Sequence, residues 1–455
     1  MFENVLSQPG AQRLAEDIRV GKLPSSLLFI GPSSSGKGTA ALELARVFSC
    51  LQGTAAWDCA CSACALHRTL SHQDVLLLGS RNFSAEIGAS AAAFIRESES
   101  SARLLFIRSV KKLLARFSSI AWEGEETKLG KLSVHISSIM DALDELDACH
   151  ADTDSQRIVK LTESIILNSN KLISDGIGDY IPVGHIRRAS YWMRMTPVGK
   201  RKVLIIENSD RMQDSARNGL LKILEEPPGN ATIVLTSSRK GAILPTILSR
   251  VRPYAFIRRN TQAERDVLRR VFRDAEAAEK LTDARSSASA GGIEGYLSAF
   301  LPVSPEILEQ AAAFYVASIA ASAVRAIRAG THGEPPAPLI SLGRRAARIS
   351  DSSPFGRPVP DQRKVVSTIL RSVGNFDLPH LFSLFLSQLL SLASPSLKEG
   401  ELGMEAPVFA SGWKKAVAEA DTAVHTYNQS PALALDRLFY ELTDALAMVF
   451  GDRKL

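Results

Sequence analysis

Gly31, Gly36 and Lys37 stand at the spacing Gly-x4-Gly-Lys within GPSSSGKGT, residues 31–39. Residue types at this spacing suit phosphate binding. Backbone N–H groups of a glycine-rich loop wrap phosphate oxygens, and the lysine neutralises the β and γ charges. A helix starting after the loop adds its positive end. ATP is the nucleotide such a loop would take, and Gly31, Ser34, Gly36, Lys37, Gly38 and Thr39 form the candidate set. A Ser or Thr that binds Mg2+ should follow the lysine. Gly38 is there instead and Thr39 comes one place late, so the loop lacks the hydroxyl for direct magnesium ligation.

Hydrolysis at such a loop also needs acids after a second buried strand, one for the metal and one to polarise the attacking water. KVLIIEN at 202–208 ends in Glu207 and Asn208. Glu207 could assist a metal and joins the nucleotide-binding candidates. Asn208 cannot act as a base, because an amide accepts no proton near neutral pH. Very slow hydrolysis is expected. If the two residues merely open a turn, a catalytic glutamate is still missing.

Cys50, Cys59, Cys61 and Cys64 run Cys-x8-Cys-x-Cys-x2-Cys, while Cys149 stands apart. Four thiolates in a short loop suit tetrahedral Zn2+, and a full set of four ligands leaves no open position, so the role would be structural. His67 is a substitute ligand close in sequence. The alternative is a set of buried free thiols.

These residues need a framework. The helical rhythm of 9–20 ends at Gly21, a C-cap position. Leu27–Ile30 and 72–78 read as strands buried on both faces and 202–208 and 232–238 as further strands, with a short apolar YAFI at 254–257. The order strand, glycine loop, amphipathic helix is what the phosphate motif requires. Alternating strands and helices predict an α/β domain with a parallel sheet. A helix is predicted at 210–225, stopped by Pro227-Pro228. From about 82 to 178 the text is rich in Ser and Ala, with helices near 103–117, 132–148 and 155–173, and reads as a helical insertion. Helices dominate from 262 onward, with breaks at 286–292, 330–338 and 351–360.

Several stretches together resemble a known family. FENVLSQPGAQRLAEDIRVGKLPSSLLFIGP, the cysteine cluster after the phosphate-loop helix, HQDV and NGLLKILEEPPGNATIVLTSS are similar to the AAA+ clamp-loader subunits of bacterial DNA polymerase III. ILPTILSRVR resembles the family's arginine-finger segment, with Val251 where a cysteine is usual, and NQSPALALDRLFYEL resembles its closing collar helix. The match covers about 1–80 and 180–300; the 82–178 segment and much of 300–425 have no counterpart. The pattern is most similar to the delta-prime type. Gly38 and Glu207-Asn208 depart from the catalytic chains, and GGIEGYL at 291–297 has Glu294 and Gly295 where a second sensor arginine is expected.

The resemblance implies a P-loop AAA+ module over 1–256 carrying the zinc loop, a small helical lid over 257–302 and an all-α collar over 303–455. It implies a non-hydrolysing subunit whose Arg250, after Ser249, acts in trans on a neighbour's γ-phosphate. Implied partners are the gamma/tau and delta subunits, the sliding clamp and primer-template DNA. Two alternatives remain: a catalytic gamma/tau-like ATPase, and a free-standing nucleotide kinase prompted by Gly36-Lys37-Gly38-Thr39.

Composition agrees with a folded chain. Of the 455 residues, 45% are hydrophobic, and the net charge of +6 weakly favours an anionic partner. No basic-then-apolar leader opens the sequence, and the apolar stretch 378–392 is interrupted by polar residues and too short to span a membrane, so a cytoplasmic location is expected. The basic clusters Lys111-Lys112, Arg187-Arg188, Lys200-Arg201-Lys202 and Arg344-Arg345 could serve phosphate contacts to duplex DNA, but such runs mostly read as solvated faces, and the four tryptophans as packing.

Overall fold

The apolar runs between residues 26 and 255 assemble into one parallel sheet. A computed structural model of the chain describes residues 1–97, 100–149, 155–178, 180–281, 292–331, 334–335, 337–350, 355–376, 381–398, 406–425, 427 and 429–451. Its contacts divide the chain into two units, Met1–Phe300 and Leu301–Leu455.

In the first unit, β1 (Ser26–Ile30), β2 (Val75–Leu78), β3 (Lys202–Ile206), β4 (Ala231–Ser237) and β5 (Arg252–Ala255) lie in the order β2-β3-β4-β1-β5. Every pairing is parallel. All five residues of β3 and all seven of β4 are buried, which is why both read as continuous apolar runs. Ile30 pairs with Ser237, and Ile206 with both Leu235 and Leu78. The loops leaving β1, β2, β3 and β4 therefore open along one edge, the side on which parallel sheets bind ligands.

The helices that flank the sheet follow the sequence closely. α1 (Pro9–Arg19) starts with Pro at its first turn, where a missing N–H is harmless. Its Asp17 accepts from Tyr254 Oη at 2.5 Å and pairs with Arg252 at 2.9 Å, tying it to β5. α2 (Lys37–Ser49) leaves the phosphate loop, and α3 (Ser62–Arg68) follows the cysteine loop.

Between β2 and β3 come α4 (Phe83–Arg96), α5 (Ser100–Leu114), a single 3-10 turn at Ala115–Phe117, α6 (Ser119–Trp122), α7 (Glu126–Ala148), α8 (Ser155–Gly176) and α9 (Val183–Arg194). The expected helices near 103–117, 132–148 and 155–173 correspond to α5, α7 and α8. α4 escaped sequence reading because its Ser and Ala residues carry little amphipathic signal. The Asn82 side chain caps it by accepting from the Ala85 N–H at 3.3 Å, and Ser90 and Ser109 share a buried 2.7 Å hydrogen bond between α4 and α5.

Beyond β3, a 3-10 turn (Ser209–Arg211) precedes α10 (Asp214–Glu225), so the predicted 210–225 helix begins later than its apolar rhythm suggested. α11 (Pro245–Leu248) leads into β5, which starts two residues before YAFI. α12 (Thr261–Arg270), α13 (Ala275–Lys280) and α14 (Gly292–Ser298) complete the unit. Val267, Leu268, Phe272, Ala278 and Ile293 form a small core with Ala89 of α4. The predicted break at 286–292 lies, apart from Gly292, outside the described residues.

The regular elements described in the second unit are helices: α15 (Pro305–Thr331), α16 (Ala337–Ser350), α17 (Gln362–Val373), α18 (Leu381–Lys398), α19 (Ala406–His425) and α20 (Pro431–Gly451). α15 is the centre, packed by α16, α17, α18 and α20. Its Tyr315 donates to the Leu435 carbonyl at 2.5 Å and meets Phe385 and Phe439 edge-on. Residues Pro305–Ala329 are long and apolar enough to cross a membrane by length and composition, but 67% of the stretch is buried within the protein. That apolarity is what a helix surrounded by other helices requires.

Candidate functional site

The phosphate loop sits at the sheet edge described above. Gly31 must be glycine, since a Cβ there would lie 2.1 Å from the Phe256 carbonyl oxygen. Gly36 has φ +94°, a left-handed conformation that leads into α2. Ser34 is also left-handed, at φ +56°, and its carbonyl accepts from the Arg259 guanidinium at 2.7 Å. Arg259 donates as well to the Leu6 carbonyl at 3.2 Å, bracing the loop from outside.

Lys37 folds back over its own loop. Its Nζ donates to the carbonyls of Gly31 and Pro32, both at 2.6 Å, and lies 3.4 Å from Ser35 Oγ. Burial pushes its pKa down to about 8, with Asp210, Glu207 and Glu294 pulling upward and Arg81 adding to the fall. Thr39 is half-buried one residue further along α2. A helix turns about 100° per residue, so its hydroxyl faces away from where Gly38 would present one.

Glu207 directly follows β3 and faces Gly38. Its Oε1 accepts from Arg81 at 3.2 Å, and its Oε2 from Arg116, which also donates to the Gly79 carbonyl at 2.8 Å. Arg116 is 4% exposed and stacks over the Phe83 ring at 5.3 Å. Glu86 joins the network through Arg81 at 2.8 Å and through Lys112. Burial alone would raise the Glu86 carboxyl, but Arg81 and Lys112 draw it down to about 2. Arg81 and Arg116 carry no local sequence signal, and sequence reading missed both.

Both oxygens of the acid that would face a metal are thus taken by guanidinium groups, and the neighbouring residue has no hydroxyl. This donor set does not fit Mg2+, which requires near-ideal octahedral oxygen ligation. Asn208, in a left-handed conformation at φ +50°, turns its side chain to donate to the Ser80 carbonyl at 2.7 Å. Asp210, also missed from sequence, is buried in the 3-10 turn that follows β3. It accepts from Ser237 Oγ at 2.8 Å and from Arg239 at 3.3 Å.

The four cysteines converge at the far end of α2. The Sγ atoms of Cys50, Cys59, Cys61 and Cys64 all lie within 4.8 Å of one another, and those of Cys50 and Cys59 are 3.8 Å apart. Zn–S bonds of about 2.3 Å in a tetrahedron place sulfurs about 3.8 Å apart, so the donor set fits zinc. The one-residue spacing between Cys59 and Cys61 is accommodated. Burial raises the Cys61 thiol, but backbone N–H groups of Cys64 and Leu51 bring it down to about 6, favouring thiolate. Burial pushes the Cys64 thiol up to about 12 against the pull of Arg46.

Arg46 is the buried neighbour of this group. It donates to Cys64 Sγ at 3.2 Å, to Glu43 at 2.5 Å and to the carbonyls of Ala55 and Ala56 at 2.7 and 3.0 Å. Such a contact orients a thiolate ligand and offsets its charge. His67 is not part of the cluster. It is buried and stacks on His72 at 4.2 Å, and desolvation lowers its pKa to about 3.

Arg250 follows α11 on the surface. Its guanidinium donates to Glu225 at 2.7 Å, and to the Thr246 carbonyl and Ser249 Oγ at 2.8 and 3.1 Å. Glu225 belongs to the LEEPP end of α10, which sets the pairing.

A five-stranded parallel sheet flanked by helices, with a glycine-rich loop between β1 and α2, defines the chain as an α/β protein. The model of the family described as DNA polymerase III, delta subunit, matches residues 7–129 and 140–260, more than half of the chain. The chain belongs to this family of clamp-loader proteins. The matched stretches include most of 82–178, for which sequence reading found no counterpart. An 86-residue stretch is 40% identical to DNA polymerase III subunit delta′ of Pseudomonas aeruginosa, covering 18% of this chain and 26% of that one. A 58-residue stretch is 38% identical to the uncharacterized protein MG007 homolog of Mycoplasma pneumoniae, covering 13% of this chain and 23% of that one. The chain therefore matches about a quarter of the length of these curated relatives. A crystal structure of a DNA polymerase III gamma subunit-related protein from Thermotoga maritima is 20% identical with TM-score 0.29, covering 59% of this chain and 81% of that one.

Proposed function

We propose that this chain is a delta-prime-like, non-hydrolysing subunit of the DNA polymerase III clamp loader. In this reading residues 1–256 are an AAA+ module, 257–302 a helical lid and 303–455 a collar for oligomerisation. The partners are gamma/tau and delta subunits, with the sliding clamp and primed DNA reached through the assembly in the cytoplasm. Zn2+ at Cys50, Cys59, Cys61 and Cys64 is structural, holding the 50–64 loop onto α2. Arg250 is offered in trans as the arginine finger of a neighbouring ATPase.

The observation that carries the reading is the capture of Glu207 by Arg81 and Arg116 beside Gly38. It removes the metal acid, and the Asn208 side chain, bound to Ser80, supplies no base. Residues 31–39 would still hold the phosphates of a nucleotide. Mixing the chain with gamma/tau and delta subunits and measuring clamp loading on primed DNA tests it. A stable assembly that loads clamps, with no turnover by the isolated chain, is the expected result. An isolated chain that turns over ATP at roughly 1 s⁻¹ or faster would favour the gamma/tau-like reading instead.

A further inference from the structure

A divalent ion at a phosphate loop neutralises oxygens that the lysine alone does not reach. Here the place of that ion is occupied by protein. A Cβ on Gly38 would lie 2.3 Å from Glu207 Oε1 and 3.3 Å from the Arg81 Nη1 atom. Arg81 Nη1 therefore lies beside the space that a side chain at position 38 would enter. Arg116 holds the other oxygen of Glu207 from below and is itself fixed by the Gly79 carbonyl. Displacing either guanidinium by a metal would leave a buried charge without its partner.

Arg81 is not used up by these contacts. Its carboxylate partners are Glu207 and Glu86, and its side chain remains 27% exposed. A guanidinium carries five N–H donors in a planar fork suited to phosphate, so donors remain for a ligand. Asp210, Glu207 and Glu294 act electrostatically on Lys37. Asp210 is held by Ser237 and Arg239, and Glu207 by the two arginines.

We propose that Arg81 stands in for the divalent cation, so that this loop binds a nucleoside polyphosphate without magnesium, with Arg116 as the residue that positions Glu207 and through it Arg81. The proposal rests on residues 31–39 being a phosphate-binding loop. It does not require the chain to join a clamp loader, so failure of assembly and failure of this idea are separate results.

The test is calorimetric titration of the full chain with ADP and with ATP, in excess Mg2+ and in EDTA. The expected result is binding in both buffers, with affinities within about threefold. Arg81→Ala should weaken binding in EDTA by about tenfold or more, the loss of one charge-assisted contact, while Arg81→Lys keeps part of it. Circular dichroism and zinc content of the variants report that the fold persists. A tenfold loss of wild-type affinity on chelation, the absence of binding in both buffers, or wild-type affinity in a folded Arg81→Ala chain would each overturn the proposal.

Discussion

Gly38 and Glu207 exclude a side chain from the same volume: a Cβ on the glycine would stand 2.3 Å from the carboxylate oxygen. Restoring the hydroxyl by Gly38→Ser should therefore not restore hydrolysis. It should destabilise the chain by about 1–3 kcal/mol, the range for overpacking a filled site. Urea denaturation and phosphate release measure the two effects. A serine variant with wild-type stability and ATP turnover would contradict the packing described.

Arg116 is buried against a buried acid. Arg116→Met removes one partner of Glu207 and should cost about 3–5 kcal/mol. Adding Glu207→Gln in the same chain should recover most of that loss, since the uncompensated charge is gone. The denaturation midpoints of the single and double variants decide it.

Zinc content should be one ion per chain by elemental analysis, and Cys64→Ser should lower it sharply. Because metal binding to such a loop is also folding free energy, the melting temperature should fall with it. Arg46→Met, which spares the ligands, should weaken zinc retention against a chelator without abolishing it.

Arg250 and Glu225 form a surface pair, with Glu225 51% exposed. Arg250→Ala should change the stability of the isolated chain by less than about 1 kcal/mol. In the assembled complex, hydrolysis by the neighbouring ATPase should fall by about a thousandfold or more. Unchanged hydrolysis in the complex would remove the trans role.

Lys37 has its pKa lowered by burial to about 8, below its ordinary 10.5. A lowered lysine pKa means that the folded state prefers the neutral amine. The associated destabilisation is full below about pH 8 and fades as pH rises from 8 to 10.5. Phosphate affinity runs the other way, because the cation is lost over that interval. ADP binding should weaken between pH 7.5 and 9.5, and Lys37→Arg should flatten that profile.

The parts of this site that a reader of the sequence can find are local. GPSSSGKGT is nine consecutive residues and the cysteines fall between 50 and 64, so spacing alone carries their chemistry. β3 and β4 are legible because strands buried on both faces are apolar throughout. The captors of Glu207 are different, since Arg81 and Arg116 lie 126 and 91 residues away in sequence. No periodicity links them, and only the fold of α4 and α5 against the sheet brings them together. Sequence reading could see that Gly38 and Asn208 were missing a function but not what had replaced it. The α4 helix was hidden for a related reason: its buried residues are largely small and Ser-rich, and their apolar face is defined by α5 and α8 rather than by a strong stripe of its own.

Arg116 also joins two parts of the chain whose unfolding would otherwise be separate. Its guanidinium spans Gly79, directly after β2, and Glu207, directly after β3, while its backbone belongs to the turn that closes α5. Peeling the helices from the sheet would strand a carboxylate in the interior, so α4 and α5 should not open by themselves. Their amides should exchange with solvent deuterium only when the sheet does, making one cooperative unit of a scaffold assembled from distant stretches of sequence.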